Sequence, residues 1–170
     1  MAKFINVLRD LEINQYDGRK ISFCTKERNL VKFQIPRMYM PFGISGFVPE
    51  IGATKWNIDF AIKGWDEEGN IVKKFYETLK EIENKVIQEV SNQSETIFGK
   101  YMSIEELKPM FNSNVKESPE REPKFRVKVD ATMDGKVKSH VYDENKNSLI
   151  DDIKNGLYSR NSGTAVVEMN

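Results

Sequence analysis

The sequence predicts a mainly β fold, a barrel or a sandwich, with one long helix inserted between its strands. Three observations carry this expectation. Residues 55–63 (KWNIDFAIK) alternate, with Trp56, Ile58, Phe60 and Ile62 on one side and Lys55, Asn57, Asp59, Ala61 and Lys63 on the other. That is the period of a strand with one buried face. Residues 71–90 instead repeat Phe75, Leu79, Ile82, Val86 and Val90 at spacings of three and four, the stripe of a helix that packs on one side. Asp134-Gly135 separates two further alternating runs, and Asp-Gly in that setting is a strong hairpin signal.

Taken in order, residues 20–25 (KISFCT) and 30–37 (LVKFQIPR) are short β-branched and aromatic runs. The polar residues 26–29 join them, so the pair reads as a hairpin. Val31, Phe33 and Ile35 face one way, Lys32 and Gln34 the other, and Pro36 ends the run or marks a sheet edge. Residues 38–49 (MYMPFGISGFVP) hold two glycines, two prolines and several large apolar side chains. They read as an irregular segment packed over a barrel end, or as an aromatic loop beside a ligand groove. Residues 66–70 (DEEGN) turn into the long helix, and Ser103 with Glu106 forms a capping box opening a short one. The polar connector 112–123 reads as a surface loop that returns the chain to the sheet. Residues 124–131 (KFRVKVDA) and 136–142 (KVKSHVY) are the two strands of the Asp-Gly hairpin, and 164–169 (TAVVEM) start a last strand.

Composition narrows the function. At 170 residues the chain can bury a core without staples, and one domain over 1–170 is the default. The single cysteine, Cys24, forbids an internal disulfide and suits a reducing, intracellular setting. With His140 the only histidine, no Cys/His zinc set exists. No apolar run approaches the roughly 18 residues of a membrane span, and the N-terminus lacks a signal-peptide core. The expectation is a soluble, unexported protein without a membrane partner. Its 26 Lys and Arg balance 26 Asp and Glu, so nucleic-acid binding would need a local patch.

Such a patch is predicted on the second hairpin. Phe125, Val127 and Val129 face inward, leaving Lys124, Arg126 and Lys128 outward. On the return run Val137 and Val141 face inward, leaving Lys136, Lys138, His140 and Tyr142 outward. Paired antiparallel, the two outward faces make one surface. Like charges side by side cost stability, so this surface wants anions, and cations interleaved with an aromatic suit single-stranded nucleic acid. The alternative is a solvated sheet face whose lysines discourage edge pairing. Lys55 and Arg37 extend the candidate set on earlier runs.

Catalytic signals are weak. No Walker loop, nucleophile elbow or HExxH pattern is present, and neither an enzyme nor a cofactor is expected. The acidic pairs Asp151-Asp152 and Glu67-Glu68 fall in turns and read as solvated. His140 reads as a surface residue, Cys24 as a non-nucleophile, Trp56 and Phe60 as core, and Trp65 as exposed. Tyr39, Phe42 and Phe47 read as lids over the core.

The run LVKFQIPRM over residues 30–38, with Pro41-Phe42-Gly43-Ile44-Ser45, is similar to the PxMxxPFG-type signature of single-stranded DNA-binding proteins of nucleocytoplasmic large DNA viruses. Lys55-Trp56-Asn57-Ile58-Asp59-Phe60 resembles that family's aromatic-x-hydrophobic-Asp strand before its long helix. Gly18-Arg19-Lys20-Ile21 and the Lys/Arg strand after the helix fall in the same order, and the resemblance spans roughly residues 5–169. It implies an OB-fold-like five-stranded Greek-key barrel with one long helix between strands. It implies a protein that coats single-stranded DNA in viral replication, recombination or repair, as the related podophage proteins do, at the site of viral DNA replication in cytoplasm or nucleus. Replication proteins are the implied partners, and a homodimer stays open. Basic residues on the strand after the helix contact DNA in that family, and Lys124, Arg126 and Lys128 occupy the matching strand. The family continues through another barrel strand, and the phage relatives end in an acidic tail. This chain ends at Val166-Val167-Glu168-Met169-Asn170 with neither, which leaves barrel closure and tail-mediated binding open. The competing expectation is a viral structural or protein-interaction domain that uses residues 38–49 as its contact and binds no nucleic acid.

Overall fold

The structure, a computed structural model, describes residues 3–149, 151 and 153–170. Asp152 of the acidic pair Asp151-Asp152 lies outside the described residues. In chain order the elements are helix α1 (Phe4–Leu8), strands β1 (Glu12–Ile13), β2 (Phe23–Cys24), β3 (Val31–Gln34), β4 (Met38–Met40), β5 (Ile44–Phe47) and β6 (Lys55–Ala61), helices α2 (Ile71–Asn92), α3 (Ser94–Phe98) and α4 (Ile104–Leu107), and strands β7 (Val115–Ser118), β8 (Arg121–Val129), β9 (Asn161–Gly163) and β10 (Val166–Met169). The fold is mainly β with one long helix. The chain forms two compact units, each assembled from separated stretches. One takes Met1–Pro36, Gly64–Ser113 and Thr164–Asn170; the other takes Arg37–Lys63 and Asn114–Gly163. The passage from Ser113 to Asn114 falls inside the polar connector 112–123.

The first unit is built on α2. Asn70 lies extended before it and accepts a hydrogen bond from the Val72 backbone N–H at 2.9 Å, which satisfies one donor left open at the helix start. Val72, Phe75, Leu79, Ile82 and Ile87 are buried. The stripe therefore turns through Ile87, while Val86 and Val90 are half-buried. Phe4 of α1 meets Phe75 edge-on with ring centres 5.0 Å apart. Beyond α2, Ile87, Met102 and Leu107 form a small buried cluster. It is tied by the Ser91 hydroxyl donating to the Met102 carbonyl at 2.7 Å and the Met102 N–H donating to the Ser94 hydroxyl at 2.9 Å. The Ser103–Glu106 capping box is formed at the start of α4.

The hairpin expected from residues 20–25 and 30–37 is a correction. The turn closes, with the Thr25 N–H donating to the Asn29 carbonyl at 3.0 Å, but the strands part to different partners. β2 pairs with β1, and β3 pairs with β10, which sets Val167 opposite Phe33 and Met169 opposite Val31. β10 offers β3 apolar cross-strand neighbours directly opposite.

The second unit is an antiparallel sheet with β6 at its centre. β8 lies along one edge of β6, in register from Trp56 opposite Val129 to Ala61 opposite Lys124. β5 and β4 share the other edge. The sheet runs β7-β8-β6-β4-β9, with β5 beside β6. Phe60, Ile62, Phe125 and Val129 are buried as the alternation predicts, and Ile58 and Val127 are half-buried. No closed barrel forms among the described residues. Closure needs the end strands to meet; these are the short β7 and β9, and the ladder of β3 is with β10.

Two loops of the sequence reading are strands. Residues 38–49 contain β4 and β5 rather than an irregular lid. The connector 112–123 contains β7, whose buried Val115 sits opposite Phe125. Conversely, residues 136–142 are not a strand of the sheet. β6 lies along β8 from Lys124 to Val129 and β7 along Arg121 to Phe125, while the return segment is tied back just beyond β8 by the Ala131–Val137 bridge, the Thr132 N–H donating to the Lys136 carbonyl at 2.7 Å and the Lys138 N–H donating to the Asp130 carbonyl at 2.9 Å.

Candidate functional site

Directly opposed residues in a ladder present their side chains on the same face. Lys124, Arg126 and Lys128 stand opposite Ala61, Asp59 and Asn57, and Lys116 of β7 stands opposite Lys124. Across β6 the same face continues with Phe47 opposite Lys55, Ser45 opposite Asn57, and Tyr39 opposite Ala61. Alternation adds Lys63 and Glu122. The outward face thus carries Lys55, Lys63, Lys116, Lys124, Arg126 and Lys128 against the carboxylates of Asp59 and Glu122. The sign expected for β8 is extended over its neighbours.

A further aromatic ring, Phe42, enters this face through a bulge. From Tyr39 to Ile44 the chain takes five steps while its partner takes three, from Ala61 to Ile58. The two surplus residues bow out of the ladder. Gly43 turns there with φ 60°, and a Cβ on it would collide with the Leu157 carbonyl. That carbonyl accepts the Ile44 N–H at 2.8 Å, which holds the bulge in place. Phe42 is thereby turned to solvent at 50% exposure, and Phe47 is exposed at 63%. These rings are not the core lids expected from the sequence. The Lys124 ammonium lies 5.0 Å from the centre of the Phe42 ring, and the Lys63 ammonium 4.5 Å from that of Tyr39. Both are cation–π contacts. The small side chain of Ala61 lies between the Lys124 and Tyr39 positions on the adjacent strands.

Arg126 has a different task. Its Nε donates to Asp59 Oδ1 at 2.7 Å and its Nη2 to Asp59 Oδ2 at 2.9 Å, the two-pronged geometry that suits guanidinium and carboxylate. Asp59 is 4% exposed while the Arg126 side chain is 48% exposed. The Asp59 hydrogen bond raises the arginine pKa further above its ordinary value. Arg126 therefore neutralises a buried acid first, and its charge is only partly available to a ligand.

The remaining candidates lie elsewhere on the second unit. Lys136 pairs with Asp134 at 3.8 Å and Lys138 with Asp130 at 3.5 Å. Gly135 at the turn accepts the Trp56 indole N–H at 2.7 Å, so the turn is fixed at the end of the apolar face of β6. Tyr142 is exposed, stacks on His140 with centres 6.3 Å apart, and bridges to Ser148. Arg37 is exposed just before β4. The structure thus gathers Lys55, Lys124, Arg126 and Lys128 on one sheet face and does not bring Lys136, Lys138 or Tyr142 into its ladders.

Sequence reasoning offered residues 38–49 as an aromatic loop beside a ligand groove but read Tyr39, Phe42 and Phe47 as core lids, and it missed Lys63 and Lys116 as members of the face. A signal for β4 was available: Met38 and Met40 flank Tyr39, and both methionines are buried while Tyr39 is half-buried. Cys24 is buried in the first unit with Arg28 Nη1 at 3.6 Å from its sulfur. Trp65 is exposed at 38% and leans on Tyr76 with centres 5.5 Å apart. Among the described residues no helix is long and apolar enough to cross a membrane. No family model, curated protein or solved structure matches this chain.

Proposed function

We propose that the outward face of the β6–β8 sheet binds single-stranded nucleic acid, and that the protein coats single-stranded DNA in viral replication, recombination or repair without strong sequence preference. The observation that carries the reading is the interleaving of Tyr39, Phe42 and Phe47 with Lys55, Lys63, Lys124 and Lys128 on one face. Cations track the phosphates, and rings offer every base a stacking surface regardless of sequence. The reading extends to the OB-fold class, supported by antiparallel pairing and a long helix between β6 and β7; the unjoined ends at β7 and β9 set it apart from a closed five-stranded barrel. Replication proteins as partners, and the site of viral DNA replication as the location, rest on the sequence resemblance alone.

The test is a titration of labelled oligo-dT at two salt concentrations, with the parent protein and Phe42→Ala. The parent should bind with a salt slope that grows by about 0.7 for each phosphate neutralised. Phe42→Ala should lose roughly 1–3 kcal/mol of binding, the range for one stacked base, with its unfolding transition unchanged. A parent protein that binds no oligonucleotide at low salt overturns the proposal. It would favour the interaction-domain reading, which has its own support in the exposed Val48 (74%) and Ile51 (92%) of the loop between β5 and β6.

A further inference from the structure

The two cation–π contacts occupy the surface that the proposed ligand needs. A base stacking on Phe42 or Tyr39 takes a ring face, and the Lys124 and Lys63 ammonium groups already lie 5.0 and 4.5 Å from those ring centres. Both lysines also stand on the outward face, where an ammonium could meet a phosphate. Among the described residues neither has an ion pair like that of Arg126 with Asp59, although Glu122 lies two residues before Lys124 on the same strand. A long, unbranched ammonium side chain can leave a ring face by rotating its stem.

We infer that Lys63 and Lys124 are specificity-determining placeholders: each covers a ring in the free protein and is exchanged for a base on binding, its ammonium moving to a phosphate. The inference rests on the single-strand reading above and adds a rule for which ligands the face accepts. A ligand with phosphates and free bases replaces each lost ammonium–ring contact with a base–ring contact. A plain polyanion draws the ammonium away and leaves the ring bare. A duplex does the same, because its bases are stacked on one another. The face therefore selects unpaired nucleotides over other anions, and the lysines sharpen that choice. Phe47 stands opposite Lys55 in the ladder and offers a further ring on the same face.

The lysines then have two opposing effects. They attract phosphate, which is strongly screened by salt, and they compete with bases for the rings, which is less so. Removing both should reduce the magnitude of the salt slope by about 1.4, twice the single-strand value of roughly 0.7. Removing the competition should gain about two- to fivefold per ring, the equivalent of an exposed cation–π contact. The two effects act at opposite ends of the salt range, so the binding curves cross.

The experiment compares the parent with Lys63→Gln/Lys124→Gln, titrating oligo-dT and an abasic oligodeoxynucleotide of the same length from low to high salt. Both substitutions are on exposed or half-exposed positions, and a thermal melt confirms folding. For oligo-dT the variant should bind more weakly at low salt and as tightly as the parent or more tightly at high salt. For the abasic strand it should be weaker at every salt. In parallel, the lysine side-chain methylene protons of the parent should be shifted upfield by the rings when free and should lose that shift on adding oligo-dT. Parallel oligo-dT curves without a crossing, or ring-shifted lysine protons that persist in the complex, overturn the placeholder role while leaving the single-strand reading intact. A parent that binds neither strand removes the reading on which the role rests.

Discussion

Two basic segments follow one another in this chain and look alike in sequence, yet they end in different surroundings. Lys124, Arg126 and Lys128 sit on β8 along β6, with Lys116 of β7 beside Lys124 and with the rings of Tyr39 and Phe47 across β6 on the same face. Lys136 and Lys138 sit in a return segment tied back around its turn, Lys136 beside Asp134 and Lys138 across the turn from Asp130. The alternation is unbroken in Phe125, Val127 and Val129 but interrupted in the return segment, where Ser139 stands between Val137 and Val141. The pairing differs too: β8 lies in register along β6 from Lys124 to Val129, while the segment that follows is tied back only around its turn. A period of two specifies a face only where a neighbouring strand supplies the other half of the ladder.

The largest effect expected from this difference is on stability. Arg126→Ala leaves the buried Asp59 without its partner, which should cost about 3 kcal/mol, the low end for breaking a buried pair. Urea denaturation measures it. Asp59→Asn added to Arg126→Ala should recover part of the loss, because the charge left behind is gone. A neutral outcome for Arg126→Ala would show that the pair is only a surface ion pair and would return Arg126 to the ligand.

A second effect separates the rings. Phe42→Ala should weaken oligo-dT binding by roughly 1–3 kcal/mol, while Tyr142→Ala, on the return segment, should change it far less. Equal losses would merge the two segments into one site. The smallest effect concerns the return segment alone. Lys136→Ala breaks an exposed pair with Asp134, and its cost to folding should stay within about 1 kcal/mol, the range measured for exposed ion pairs. A larger loss would show that the turn depends on that pair as well as on the Trp56–Gly135 hydrogen bond.

Much of the fold was legible where periodicity was strong. β6, β8, β10 and the long helix follow from their spacing, and the Ser103–Glu106 cap from its motif. Three features were hidden. β7 carries one buried apolar residue, Val115, among polar neighbours, so its strand character comes from the Phe125 opposite and not from its own pattern. β4 and β5 are separated by Pro41-Phe42-Gly43, which reads as a loop because a proline and a glycine interrupt it, although both flanks pair with β6. The pairing of β3 with β10 joins the chain's early and final strands, and no local signal indicates it. The candidate site was legible in its charges, and in its rings only as one of two readings of residues 38–49. Of the rings that give those charges a chemistry, Phe42 enters through the bulge at Gly43 while Tyr39 and Phe47 are placed by their register on β6, and the use of Arg126 on Asp59 depends on a register that alternation alone does not fix.

The central claim is that the β8 face, and not the return segment, meets the ligand. The direct measurement is the salt dependence of oligo-dT binding for two double variants, Lys124→Ala/Lys128→Ala and Lys136→Ala/Lys138→Ala. The β8 variant should lose about 1.4 from the magnitude of the slope, two phosphates at roughly 0.7 each, and bind more weakly at low salt. The return-segment variant should keep the slope of the parent. Equal slopes for parent and β8 variant, with a reduced slope for Lys136→Ala/Lys138→Ala, would contradict the account and move the site to the return segment.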